Sequence, residues 1–270
     1  MEHELSIQVR EAQAGSDSSL EALVRLIQDD IYQLALRMLY NPDYALDATQ
    51  EILVLVVTKL STYRHESKFR TWYYRVATNY LLTEKKIKNR ESGITFDLFA
   101  SDLEQGLVNT QHVAADDVVM LNELRISCTI AMLLCLDLNH RSAYLLGEIL
   151  EFDHVEASEI LSLSKDLYRK RLSRARKELA EFTSKSCGLG NPSAKCSCPR
   201  KLPASIDQSR VSKNRIYHAK GDAPSYEDAV KIAENFIGEV RVLKLQQSTR
   251  TYHSPKDFGA QIAEILQPNT

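Results

Sequence analysis

The sequence predicts an all-α protein made of separate helical domains, and three observations predict it. Apolar residues recur at three- and four-residue steps through most of the first half, as on one face of a helix. No stretch shows the convincing two-residue alternation of a strand. Segments that lose periodicity, near 91–115 and after 184, divide the chain into blocks.

The elements follow in order. Leu20, Leu23, Val24, Ile27, Ile31, Leu34, Ala35 and Met38 form one apolar stripe. Asn41-Pro42-Asp43 reads as a helix start, with a capping Asn and a proline at the first helical position. The helix it opens, to about Leu60, is apolar on most sides and is expected to be the most buried one. A third helix begins near Phe69 with the stripe Phe69, Tyr73, Val76 and Tyr80. Gly93, Gly106, Asn109 and the surrounding acids read as a linker over 91–115. Helices resume from about Asp116, and Asn139 is placed to cap one covering Ala143 to Ile149. Two more, Val155 to Leu161 and Lys165 to Phe182, are split by Ser162-Leu163-Ser164. From Ser184, Gly188, Gly190, Pro192, Pro199 and Pro203 are expected to break any helix. Ser225-Tyr-Glu-Asp228 resembles a capping box opening a helix to about Leu245, and Ser254-Pro255 opens a last one along Phe258, Ile262 and Leu266. The expected domains are therefore 1–90, a linker over 91–115, 116–183 and an extension over 184–270.

A net charge of −2 hides an uneven distribution. Arg64, Lys68, Arg70, Arg75, Lys85, Lys86, Lys88 and Arg90 form one basic block, opposed by Glu66 and Glu84. Lys165, Arg169, Lys170, Arg171, Arg174, Arg176, Lys177 and Lys185 form another. Glu91 to Glu123 between them holds acids and no Lys or Arg. Two basic patches divided by acids suit two contacts with a polyanion, although solvated helix faces have the same composition. No apolar run reaches the length of a membrane span, and the charged N-terminus lacks an apolar signal core, so a cytoplasmic protein is expected. There is no phosphate loop, G-x-S-x-G, H-E-x-x-H or dinucleotide fingerprint, so no enzyme reading gains support.

Two segments carry recognition chemistry. Val155 to Leu179 is a helix-turn-helix candidate whose second helix packs through Tyr168, Leu172, Ala175 and Leu179 and turns its basic positions outward. In Tyr63 to Arg90, Tyr63, Phe69, Trp72, Tyr73, Tyr74 and Tyr80 are interleaved with cations, as single-stranded nucleic acid requires. Phe69, Tyr73 and Tyr80 lie on the packing stripe; Trp72, Tyr74 and Asn79 lie off it and are free to meet bases.

Asp47-Ala-Thr-Gln-Glu51, followed by Phe69-Arg-Thr-Trp72, Tyr74-Arg75 and Asn79, resembles region 2 of the extracytoplasmic-function (ECF) sigma factors of bacterial RNA polymerase. Ser164 to Arg176 resembles their region 4. The resemblance covers Leu20 to Phe182 and implies a polymerase specificity subunit. Region 2 would dock on core polymerase through Asp47, Gln50 and Glu51. It would melt and read the minus-ten element through Tyr63, Arg64, Lys68, Arg70, Trp72, Arg75 and Asn79. Region 4 would read the minus-thirty-five element through Ser164, Lys165, Asp166, Arg169, Lys170, Arg171 and Arg174. Core polymerase, promoter DNA and an anti-sigma factor are the implied partners. The sequence departs from the family pattern at Ser158, Ser162, Leu167 and Tyr168. Asp47 and Glu51 also have a plainer reading, as helix N-terminal charges satisfying the macrodipole. A stand-alone helix-turn-helix regulator of duplex DNA is the alternative.

Among five cysteines, Cys128 and Cys135 sit in apolar surroundings and are expected to be core. Cys187, Cys196 and Cys198 cluster in a Gly- and Pro-containing loop and suit a soft metal such as zinc, with His218 a candidate fourth ligand, or a redox role. Incidental thiols in a reducing compartment are the alternative. No cofactor is otherwise required. The two amphipathic helices of the extension are too small to fold alone and are expected to pack on the sigma domains or on a partner, either as a regulator or as a passive extension.

Overall fold

The computed structural model of the chain describes residues 2–83, 93–109, 117–214, 216–218, 224–249 and 252–266. Among these the regular elements are helical, and Cys187 and Cys196 form an isolated bridge. The chain forms two compact units: Met1–Arg90 with Asp153–Tyr168 and Tyr252–Thr270, and Glu91–Phe152 with Arg169–Thr251.

The first unit is built on helix α2, Asp17–Leu39, which packs against α1 (Glu2–Gln13) and α3 (Pro42–Lys59). Helix α1 lies where no helix is expected from the sequence, holding Leu5 and Val9 in the core. Ser16 caps α2 by accepting the Ser19 N–H at 3.2 Å. From Leu23 to Met38 the predicted stripe is buried. Asn41 caps α3 as predicted, its Oδ1 accepting from Asp43 at 2.9 Å and Tyr44 at 3.0 Å. Helix α3 is not the most buried helix, however. Its apolar residues run right round the cylinder while only one side meets α2, so Val54 is 50% exposed. Helix α4 (Phe69–Thr83) buries Phe69, Tyr73, Tyr74, Ala77 and Leu81. Val76 and Tyr80 of the predicted stripe are only half-buried. The buried face is rotated toward Tyr74.

Two later segments complete this unit. Helix α8 (His154–Ile160), capped by Asp153, packs on α4. Helix α13 (Phe258–Leu266) packs on α2 and starts after the predicted Ser254-Pro255, with Asp257 accepting the Ala260 N–H at 3.1 Å. Polar side chains along α2 hold the approach to α13. Gln33 accepts from the Tyr252 N–H at 3.2 Å, Asp29 from Ser254 at 2.8 Å and Gln28 from Phe258 at 2.8 Å. Arg25 pairs with Asp257 at 3.0 Å, and the Arg37 guanidinium lies 5.0 Å from the Tyr252 ring centre. A side chain at Gly259 would meet Arg25 at 2.4 Å and the Glu21 carbonyl at 3.0 Å, so glycine is what lets the two helices close. The burial of Leu266 lies outside the described residues.

In the second unit the expected linker contains a helix, α5 (Phe96–Glu104), capped by Thr95. Its Phe99 stacks on Phe182 with ring centres 5.6 Å apart, and Leu103 is buried. The acidic composition of this stretch masked a short apolar stripe. Helix α6 (Val118–Leu134) is buried along nearly its whole length. Helix α7 (Leu138–Tyr144) is capped by Asp137 rather than Asn139, the carboxylate accepting from Asn139 at 2.9 Å and His140 at 3.0 Å. A π-helical turn, Leu145–Ile149, follows. Helix α9, Lys165–Ser186, begins in the first unit and continues in the second.

The prolines after Ser184 do not prevent a helix. In α10 (Cys198–Asp207) Pro199 sits in the first turn, where its missing N–H is not needed, and Pro203 costs an intrahelical bond. Leu202 and Ile206 offset that cost by packing against Met120, Leu121 and Leu124 of α6. The single helix predicted after Ser225 is two, α11 (Tyr226–Asn235) and α12 (Gly238–Gln247). Extended backbone at Phe236 and Ile237, and Gly238 at φ +56°, break it.

Buried polar groups tie the extension to α6. Arg125 donates to Asn122 at 2.8 Å, to Ser248 at 3.0 Å and to the Pro224 carbonyl at 2.9 Å. Glu123 accepts the N–H groups of Tyr217 at 2.9 Å and His218 at 2.7 Å. The extension thus packs on α6, as its small size requires.

Ser162, in the turn between α8 and α9, adopts φ +53°. An L side chain in this region costs about 1–2 kcal/mol. Ser162→Gly is therefore expected to raise the urea midpoint, stabilising by about 1 kcal/mol after the entropy cost of glycine.

Candidate polymerase and nucleic-acid interfaces

One face of α3 carries Asp47, Gln50 and Glu51, all exposed, in an i, i+3, i+4 arrangement. Tyr44 and Val54 extend it as exposed apolar neighbours, 37% and 50% accessible. Sequence reasoning missed these two; the signal was an apolar run too wide for one buried face. Asp43, not Asp47, occupies the first turn, where the macrodipole acts. Asp47 and Glu51 lie too far along the helix for that plainer role.

The loop Tyr63 to Lys68 and the start of α4 form a second surface. Arg64, His65, Glu66 and Lys68 are exposed. Tyr63 is not: it is buried, its hydroxyl donates to the Ser67 carbonyl at 2.7 Å, and its ring packs against His65, Phe69 and Trp72 at 4.5, 5.2 and 5.5 Å. It braces the loop from within. Tyr74, expected to meet bases, is fully buried, with the Arg70 guanidinium 5.3 Å from its ring centre. Trp72 is half-buried and Asn79 exposed. Lys85, Lys86, Lys88 and Arg90 lie outside the described residues.

Beside this loop is a cavity of about 240 Å³, lined in part by Asp30, Tyr63, His65, Lys68, Arg70 and Tyr73. At its wall the Tyr73 hydroxyl donates to Asp30 at 2.5 Å. Burial pushes the Asp30 carboxyl above the usual carboxylate range and the Tyr73 phenol well above its own. The chamber combines aromatic walls with cationic groups. Two of the basic residues are already ion-paired to α8: Lys68 with Glu156 at 3.0 Å and Arg75 with Glu159 at 3.1 Å. Arg75 also donates to the Glu159 carbonyl at 3.0 and 2.9 Å.

Helices α8 and α9 flank a short turn, as the sequence predicts. Ser164 caps α9, its hydroxyl accepting the Leu167 N–H at 3.3 Å. Tyr168, Leu172, Ala175 and Leu179 are buried. Ser164, Lys165, Asp166, Leu167, Arg169, Lys170 and Arg174 are exposed, and Arg171 is half-buried. Ser158 fits its buried position because its hydroxyl donates to the Val155 carbonyl at 2.9 Å. Arg176, counted with the basic patch, instead pairs with the buried carboxylate of Glu148. The outward face therefore runs through Lys165, Arg169, Lys170 and Arg174, the last also bound to Glu178 at 2.8 Å.

Of the clustered thiols, Cys196 is buried while Cys187 and Cys198 are partly so. Among the described residues no three His, Cys, Asp or Glu groups are arranged to hold a metal ion. His218 is buried, and its backbone N–H donates to Glu123 at 2.7 Å.

A profile of Sigma-70 region 2 matches residues 23–91, the segment that holds α3, the loop and α4. Over 183 residues the chain is 30% identical to the ECF RNA polymerase sigma factor SigW of Bacillus subtilis (strain 168), covering 66% of this chain and 96% of SigW. This chain belongs to the ECF sigma factors. It is also 26% identical to SigM of the same organism, across 60% of this chain and 93% of that relative. A solved structure of CnrH in complex with the cytosolic domain of CnrY matches 66% of this chain and 96% of its own at 20% identity and a TM-score of 0.47. As a sigma factor, this protein directs core RNA polymerase to promoters in transcription initiation. No described helix is long and apolar enough to cross a membrane.

Reversing Asp47 and Glu51 to Lys is expected to weaken the complex with core polymerase by tenfold or more, about 1.4 kcal/mol or above. Both side chains are exposed, so helicity by circular dichroism stays unchanged. Co-purification with core at wild-type levels would remove this face from the interface.

Proposed function

We propose that the α3 face of Asp47, Gln50 and Glu51, with Tyr44 and Val54, docks on core polymerase. An exposed acidic and apolar mixture suits a partner surface that is basic with apolar pockets. The loop Tyr63 to Lys68 and the start of α4 then capture the unpaired minus-ten strand. One splayed base enters the aromatic-walled cavity, and Arg64, Lys68, Arg70 and Arg75 follow the phosphates. Trp72 and Asn79 flank this path. Residues Ser164, Lys165, Asp166, Arg169, Lys170 and Arg171 near the start of α9 meet the minus-thirty-five major groove, and Arg174 a phosphate.

The observation that carries this reading is one chain holding both an aromatic-walled, cation-lined cavity and an outward basic helix. A stand-alone duplex regulator has no use for the first. In this reading the protein is a cytoplasmic specificity subunit that itself catalyses no reaction, and an anti-sigma factor is a further partner. Run-off transcription by core polymerase, with and without the protein, tests it. Promoter-independent background in both reactions would overturn it.

Two predictions follow from the contacts. Arg169→Ala is expected to cost about 1–3 kcal/mol of promoter binding if the side chain reaches a base edge, seen as loss of open complex on promoters with a minus-thirty-five element. The second concerns Lys68 and Arg75, whose pairing with Glu156 and Glu159 competes with phosphate. Glu156→Gln with Glu159→Gln should increase binding of the isolated protein to a minus-ten single strand by roughly fivefold, since exposed pairs are worth up to about 1 kcal/mol. Fluorescence anisotropy with labelled oligonucleotide checks it, and an unchanged Kd would show that α8 does not mask these cations.

A further inference from the structure

The extension brings its three cysteines to a fourth. Cys128 lies on α6, far from the others in sequence, yet it packs with Cys198 against one buried cluster of Met120, Leu121, Leu124, Leu202 and Val211. Cys198 and Cys187 pack together against a second cluster of Leu189, Ala229, Ala233 and Leu245. Cys196 faces Cys187 across the isolated bridge. The loop is built for that approach. The Gly188 N–H donates to the Cys196 carbonyl at 2.8 Å, and a Cβ at Gly188 would meet that same carbonyl at 2.9 Å. Gly190 and Asn191 both donate to the Cys187 carbonyl at 2.9 Å, folding the chain tightly behind the first thiol.

We propose that Cys128, Cys187, Cys196 and Cys198 together form a four-thiolate zinc site that staples the extension to α6. All four belong to the second unit. Each thiol feels the other three electrostatically, and burial raises every one of them, Cys196 to about 12. Raised, buried thiols are poor redox sensors, because the thiolate is the reactive form. Zinc changes that balance: it displaces one proton from each thiol, so one Zn²⁺ and four thiols give a tetrathiolate of charge −2 and four released protons. Buried cations stand ready for that charge. Lys201 is 2% exposed and Arg125 is 1% exposed, and both act on the thiols. The second cluster is also small for an independent core, the situation in which a metal supplies folding energy. The thiols do not yet surround one point closely enough to hold an ion, so side-chain rotation must close the tetrahedron, with Zn–S bonds of about 2.3 Å.

The test uses the full-length protein. Purified protein is expected to carry about one zinc per chain. Replacement by Co²⁺ should give the thiolate charge-transfer and tetrahedral bands of a four-sulfur site. Cys128→Ser should lose these bands and weaken zinc binding at least about tenfold, while Cys135→Ser retains both. A second measurement needs no variant. Chelation should unmask Cys128, Cys187, Cys196 and Cys198 together to N-ethylmaleimide, with Cys135 labelling unchanged. The proposal is overturned if protein refilled with Zn²⁺ or Co²⁺ binds neither, if Cys128→Ser keeps the wild-type spectrum, or if Cys128 labelling ignores the chelator.

Discussion

A guanidinium and a carboxylate buried in the middle of α6 set the terms on which the second unit folds. A charge removed from water must find partners or destabilise the fold by several kcal/mol. Arg125 and Glu123 draw most of theirs from the extension: the Pro224 carbonyl, the Ser248 hydroxyl, and the N–H groups of Tyr217 and His218. Helix α6 is therefore complete only when the extension lies on it. Lys201 applies the same constraint in reverse. It reaches from α10 to the Gln105 carbonyl at 2.9 Å and so fixes the end of α5. The extension is thus an integral part of the unit that holds most of α9.

What was legible in the sequence follows from where polarity is sharply divided. Helix α9 is strongly basic, so the apolar stripe of Tyr168, Leu172, Ala175 and Leu179 had one place to go, while Leu167 stays exposed. In α3 and α4 apolar and aromatic residues lie on every side. Composition there left the buried face open by about one position, which is why Tyr74 is inside and Val54 is outside. The acidic edge of α3 was readable because carboxylates on an apolar helix have to face outward.

What stayed hidden depends on contacts distant in sequence or on short elements. Helix α1 offers only Leu5 and Val9 as a buried pair, too sparse to show a period. Helix α5 has its stripe inside an acidic stretch, and its partner Phe182 lies in another domain of the sequence. Helix α10 contains two prolines and forms because α6 offers it a packing surface. Local propensity argued against it, and burial prevailed. The cavity beside Asp30 needs α1, α2, α4 and the loop at once, and no single segment announces it.

The attachment of α13 to α2 has a consequence for how this extension can diverge. Gln28, Asp29 and Gln33 accept from backbone N–H groups, which every residue but proline supplies. Pro255 and Lys256, both exposed, are therefore open to drift. The positions under constraint are Tyr252 and Phe258, which fill buried sites, and Gly259, which lets the helices touch. A descendant of this tail can lose nearly all resemblance in the segment and still dock, provided an aromatic residue precedes a Phe-Gly pair at the same interval.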